Sequence, residues 1–162
     1  MMNDAMSLGI HRLWKDRFVR MLNPRSGINC LDVAGGTGDI ALRLLDHART
    51  QHRDRETRVT VLDINANMLI EGQKRMKETM YWNTPQLAFQ LGNAESLNEP
   101  MEVPERVNPT AGTYRNPILP PLVSAPIPDA SMDLYTIAFG IRNCTHIDRV
   151  IAEAYRVLKP GG

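Results

Sequence analysis

The chain predicts an α/β fold, a parallel sheet carrying helices on both faces, and three features carry that prediction. Segments of strand period and helix period alternate as βαβαβ between residues 28 and 99. A glycine cluster, Gly35-Gly36-Thr37-Gly38, separates the first strand from the helix behind it. Asp63 and Asn93 then close the second and third strands, the end of a parallel sheet where ligands bind.

Each element follows in order. From Met2 to Leu22 the apolar residues Ile10, Trp14, Phe18, Met21 and Leu22 recur at steps of three and four, which predicts one amphipathic helix. Asn23, Pro24 and Gly27 end it, and Ile28–Val33 is a short buried strand. A helix over about Asp39–Ala48 is anchored by Leu42, Leu44 and Leu45; the polar run Arg49–Arg58, with four Arg, is a solvated connection. Val59–Asp63 is the second strand, and Asn65 is the cap of a helix reaching Met76. Leu87, Phe89 and Leu91 alternate with other residues as a third strand.

Eight of the eleven prolines then fall between Pro100 and Pro128, which predicts an extended surface insertion without regular elements. Met132–Phe139 is the fourth strand. Thr145 with Asp148 three residues later reads as a capping box, opening a helix with Ile147, Val150, Ile151, Ala154, Val157 and Leu158 as its stripe. Lys159-Pro160-Gly161-Gly162 stops it. A sheet of order 3-2-1-4-5 places a fifth strand next, so the expectation is a partial domain lacking its C-terminal strands. Its segments are 1–22, an N-terminal lid helix; 28–99, the cofactor-binding half; 100–128, the insertion; and 129–162, the fourth strand and last helix.

Composition narrows the function. With 162 residues, 43% hydrophobic and 23% charged, the chain has the makings of one globular domain. A formal charge of +1 supplies no basic field for nucleic acid. No stretch approaches the roughly 18 to 20 apolar residues of a membrane span, and Met1–Ile10 has neither a secretory core nor an Arg-rich transit pattern, so no address is expected in the chain. Cys30 and Cys144 alone make no metal site, and no metal is expected.

Gly35, Gly36, Thr37 and Gly38 let backbone and helix N-terminus approach a nucleotide-like ligand. Gly36 to Ala41 also satisfies G-x-G-x-x-A, so the glycines leave a nicotinamide-dependent oxidoreductase open. The acids Asp32 and Asp39 flank the loop and would repel a pyrophosphate, which favours a cationic ligand such as S-adenosylmethionine. Asp32 is then the expected partner of its α-ammonium and the loop N–H groups of its carboxylate. Asp63, twenty-five residues beyond Gly38, is the expected acceptor of the ribose hydroxyls. Asn93 and Ala94 are placed to meet adenine.

The segments Met2–Ser7 and Gly9–Trp14, Asp32–Ala41, Phe139-Gly140-Ile141-Arg142-Asn143 and Arg156–Gly162 resemble the ubiquinone and menaquinone biosynthesis C-methyltransferase family over nearly the whole chain outside the proline-rich insertion. The resemblance implies a class I, Rossmann-like, S-adenosylmethionine-dependent methyltransferase. It is most similar to the eukaryotic members, which methylate a ring carbon of 2-methoxy-6-polyprenyl-1,4-benzoquinol for coenzyme Q. It further implies a multi-subunit coenzyme Q assembly, peripheral membrane contact and the matrix side of the mitochondrial inner membrane. Asp32, Gly35, Gly36 and Gly38 correspond to the family's cofactor loop, Asp63 to its ribose acid and Asn93-Ala94 to its adenine edge; Ala34 stands where methyltransferases usually have Gly.

Methylating a ring carbon needs the reduced, ionisable quinol. Arg142, after the fourth strand, is the expected stabiliser of the phenolate, or holder of a proton-removing water, and Asn143 is expected to orient the substrate oxygen. His11 and His146 are conceivable bases, and structural roles compete for both. Cys144 is expected to be a small buried thiol. The third reading is a noncatalytic fragment or scaffold subunit, and the 162-residue chain is expected to bind donor weakly.

Overall fold

The computed structural model of the protein describes residues 2–104 and 119–162, with side chains from His11 onward. Four strands, β1 (Asn29–Val33), β2 (Arg58–Asp63), β3 (Leu87–Leu91) and β4 (Leu134–Thr136), form one parallel sheet in the order 3-2-1-4. The helices are α1 (Met2–Leu22), α2 (Asp39–His52), α3 (Ala66–Met76) and α4 (Ile147–Val157), with a 3₁₀ turn at Gly140–Asn143. The strand period sorts the core onto two faces. Cys30, Val59, Val61, Phe89 and Leu91 pack with Ala41 and Leu44 of α2 and Leu69 and Met76 of α3. Leu31, Val33 and Leu62 pack on the opposite side with Leu97, Ile127 and Val157 of α4. Helices therefore cover both faces, as the alternation predicts.

Asn65 caps α3 as expected, its side chain accepting from the N–H groups of Asn67 and Met68. Other boundaries move. Helix α2 runs through Arg49–His52, residues expected in a solvated connection. It closes at Arg53, whose left-handed backbone (φ 55°) sends its N–H back to the Arg49 carbonyl. Among the described side chains of α1 the buried one is Val19, while Trp14 and Met21 of the expected stripe are 43% and 76% exposed and the Ile10 side chain lies outside those described. The helix is rotated toward α2, so Met21 leaves the expected stripe while Phe18 and Leu22 stay in it.

The fourth strand is also shorter than Met132–Phe139. Met132 bridges to Leu158, and Phe139 turns left-handed (φ 64°), bending the chain into the 3₁₀ turn. The expected capping box does not form: α4 begins after His146 with no side-chain cap of its own, and Glu95 supplies the acceptor instead. Of the expected α4 stripe, Val150 and Val157 are buried, whereas Ile147 and Ile151 are 45% and 60% exposed.

The insertion is only partly a surface segment. Its residues 105–118 lie outside the described residues, but Leu122 and Ile127 are buried. Val123 bridges to Gln90 beside β3, its carbonyl accepting from the Leu91 N–H at 2.9 Å. A strand edge that would otherwise leave its N–H groups open is covered by chain too rich in proline to form a strand. Among the described residues no helix is long and apolar enough to cross a membrane.

Candidate functional site

The carboxyl ends of the four strands converge on the glycine loop. Asp63, the last residue of β2, accepts the Gly36 N–H on Oδ2 and the Asn65 N–H on Oδ1, both at 2.8 Å. Its own carbonyl accepts the Gly92 N–H at 3.0 Å, so the loop after β1 and the loop after β3 hang on one residue. Gly38 begins α2 with φ 78°, a conformation that disfavours any residue with a Cβ. Ala34 sits at φ 52°, a left-handed position that glycine adopts more cheaply, so the alanine keeps the loop at a cost of about 1 kcal/mol.

Asp32 lies beneath this loop with 1% of its surface exposed. The Thr136 hydroxyl donates to its Oδ1 at 2.8 Å, whereas Oδ2 is buried and has no partner among the described residues. Burial raises its pKa, Thr136 and the Ala41 N–H oppose the rise, Asp63 and Asp39 reinforce it, and the carboxyl is pushed up to about 7. An orphaned carboxylate oxygen at this depth calls for a cation or a donor.

Asp39 departs from expectation. Rather than facing a ligand, it sits among Lys15 of α1 (2.9 Å), Arg75 of α3 (3.0 Å) and Arg43 (3.3 Å). Partial burial raises its pKa, but the Lys15 and Arg75 hydrogen bonds and the neighbouring positive charges outweigh that and hold the carboxyl down at about 2. Its negative charge is already matched within the protein, so the acids left for a cationic ligand are Asp32 and Asp63.

On the other side of the loop, the 3₁₀ turn presses against Ala34. A Cβ on Gly140 would lie 2.2 Å from the Ala34 Cβ, so only glycine fits there. The same turn carries Arg142 and Asn143, both exposed, and no described hydrogen bond or ion pair engages the Arg142 guanidinium. Phe139 meets α1 in an aromatic cluster, with Trp14 at 4.9 Å and His11 edge-on at 6.0 Å. Trp14 stacks on Phe18 at 5.2 Å. Asn93 accepts the Glu95 N–H through Oδ1 at 3.0 Å, and Ala94 packs at the edge of the second core cluster. Cys144 is half-buried rather than buried, its thiol raised by desolvation. Gly35, Gly36, Thr37 and Gly38 thus share one end of the sheet with Asp32, Asp63, Asn93 and Ala94, with Arg142 and Asn143 on the facing turn. Thr136 and Glu95 join them without any local sequence signal, whereas Phe139 opens the Phe139–Asn143 segment already singled out in the sequence.

Three comparisons with known proteins bear on this arrangement. The family model of the ubiE/COQ5 methyltransferase family matches residues 1–110 and 122–162. The chain is 51% identical over 164 residues to the 2-methoxy-6-polyprenyl-1,4-benzoquinol methylase, mitochondrial, of Schizosaccharomyces pombe, covering 99% of this chain and 45% of that protein. It is 47% identical to the protein of the same name from Drosophila melanogaster, covering 99% and 46%. The chain therefore spans about half the length of the curated relatives it matches. Among solved structures, YcgJ of Bacillus subtilis superposes with a TM-score of 0.62 at 19% identity, covering 91% of this chain and 47% of that one. An S-adenosylmethionine-dependent methyltransferase of Aquifex aeolicus gives 0.61 at 14% identity, covering 90% and 58%. The architecture is that of class I, Rossmann-like methyltransferases.

Proposed function

This chain belongs to the ubiE/COQ5 methyltransferase family, and from that premise we propose that it is the donor-binding portion of a C-methyltransferase. That enzyme moves a methyl from S-adenosylmethionine to a ring carbon of 2-methoxy-6-polyprenyl-1,4-benzoquinol in ubiquinone biosynthesis. The observation that carries the proposal is the buried Oδ2 of Asp32 beneath the glycine loop, which has no hydrogen-bond partner among the described residues. A pyrophosphate there would face a carboxylate, whereas an ammonium would complete it.

S-adenosylmethionine, when bound, supplies an electrophilic methyl on a sulfonium. Asp32 would meet its ammonium. The Gly35, Gly36 and Gly38 N–H groups already donate to the Leu62 carbonyl, Asp63 Oδ2 and the Gly35 carbonyl, so of the loop N–H groups expected to meet its carboxylate, that of Thr37 is the one with no described acceptor. Asp63 still has free lone pairs beyond the two N–H groups it accepts, and these take the ribose hydroxyls. Asn93 and the Ala94 N–H read the adenine edge. Arg142 stabilises the phenolate that makes the ring carbon nucleophilic, and Asn143 orients its oxygen. Helix α1 acts as a lid, its Trp14 and the facing Phe139 forming an apolar wall for the ring. Positioning of the two reactants contributes several kcal/mol to such a transfer.

The relatives' names place those proteins in mitochondria. We extend that location to this chain, with the matrix side of the inner membrane, peripheral contact and a coenzyme Q assembly as its finer setting. Titration calorimetry with S-adenosylhomocysteine and with NAD tests the site: binding of the former alone is expected, and binding of NAD alone overturns the proposal. Flotation with liposomes of inner-membrane lipid composition tests the membrane contact, which fails if no protein rises.

A further inference from the structure

Glu95 has no part in the chemistry above, yet its carboxylate makes three contacts across 50 residues of sequence. Oε1 accepts the Thr145 N–H at 2.6 Å and the His146 N–H at 3.0 Å, and Oε2 lies 2.9 Å from His146 Nδ1. These are the N–H groups of the N-cap residue of α4, His146, and of the residue before it, at a helix start with no side-chain cap of its own. The His146 backbone and imidazole bonds hold the Glu95 carboxyl below the usual range.

The position of these contacts gives them meaning. Glu95 follows Asn93-Ala94 directly, and Asn93 Oδ1 fixes the Glu95 N–H. Thr145 follows Asn143 by two residues. Between them Cys144 ties back into the turn, its N–H donating to the Ile141 carbonyl at 3.1 Å and its Sγ lying 3.8 Å from the Gly140 carbonyl. Gly140 in turn touches Ala34 of the glycine loop. The turn bearing Arg142 and Asn143 is thus held at its first residue by the loop after β1 and just past its last by the loop after β3. Its fourth-strand support is short, because β4 ends at Thr136.

We propose that Glu95 is a positioning residue that braces the Arg142–Asn143 turn against the donor site, so that donor binding stiffens the acceptor side. This rests on the reading of Asn93-Ala94 and Arg142-Asn143 given above. The carboxylate acts through backbone and imidazole, not on substrate.

Cys144 sits inside the braced segment and Cys30 in the core, so thiol labelling at pH 8 reports local and global opening separately. In Glu95→Ala, Cys144 labelling is expected to rise about tenfold with Cys30 unchanged. Glu95→Gln keeps an acceptor for the two backbone N–H groups and is expected to return the rate to within about threefold of the parent. An unchanged Cys144 rate, or both cysteines rising together, overturns the brace. Saturating S-adenosylhomocysteine is expected to slow Cys144 labelling in the parent and in Glu95→Gln, but not in Glu95→Ala that still binds it by calorimetry. Protection persisting in Glu95→Ala overturns the coupling. Failure of the parent to bind S-adenosylhomocysteine strikes the functional proposal instead, and the ligand-free labelling then decides the brace alone.

Discussion

The two sides of the candidate site are built differently. On the donor side, β1, β2 and β3 pair over five residues each, Asp63 pins two loops, and a buried acid sits beneath the glycines. On the acceptor side, β4 pairs over three residues, the next helix relies on a cap from elsewhere, and Ile147, Ile151 and Tyr155 of α4 are exposed. On the function proposed above, the site for a small, constant donor is built into the sheet itself. The part that on that reading meets a larger acceptor is hung on a few contacts, which is where adjustability costs least.

Substitutions at the join break this contrast most strongly. Gly140→Ala puts a Cβ 2.2 Å from that of Ala34 and forces both loops to move. A loss of about 3 kcal/mol in urea denaturation is expected, along with weakened S-adenosylhomocysteine binding. Next, Asp63→Ala removes the proposed ribose acceptor and frees the Gly36 N–H. Calorimetry should show affinity for S-adenosylhomocysteine falling about tenfold to a hundredfold, since a hydrogen bond to a charged group is worth about 1.5–3 kcal/mol.

Asp32→Asn separates stability from binding. Because burial lifts the folded carboxyl to about 7, above its unfolded value, the folded state holds the extra proton between pH 4 and 7. Stability contributed by that group is present below pH 4 and is lost as pH rises toward 7. The amide removes this titration, so the variant is expected to gain on the order of 1–2 kcal/mol at pH 8 and to lose the slope across that window. Donor affinity falls in the same variant, and a parallel loss of both properties would contradict the assigned role. The smallest effect belongs to the acceptor side: Ile151→Ser, at a site 60% exposed, is expected to change stability by no more than about 0.5 kcal/mol in thermal melts.

The donor half was largely legible in the residue order. Its strands, the Asn65 cap and the position of Asp63 all follow from local period and turn chemistry. The acceptor half was less so. Thr145 and Asp148 look like a capping box, but Glu95, 50 residues away from Thr145, takes the Thr145 N–H that Asp148 would have served, and the His146 N–H beside it. Asp39 reads as a ligand-facing acid, and only packing of α1 and α3 beside α2 brings Lys15 and Arg75 to it. The insertion reads as surface chain, and its burial of Leu122 and Ile127 depends on an open edge of β3 that no local pattern reveals.

By itself the sequence determined the alternation of strands and helices, the parallel sheet and the end of it that carries the glycine loop, because those depend on side-chain period and glycine conformation within a few residues. The tertiary structure alone decided which acids are free, where β4 stops and what holds the Arg142 turn. Those outcomes turn on charges and backbone donors brought together from distant segments, whose partners have no fixed spacing along the chain.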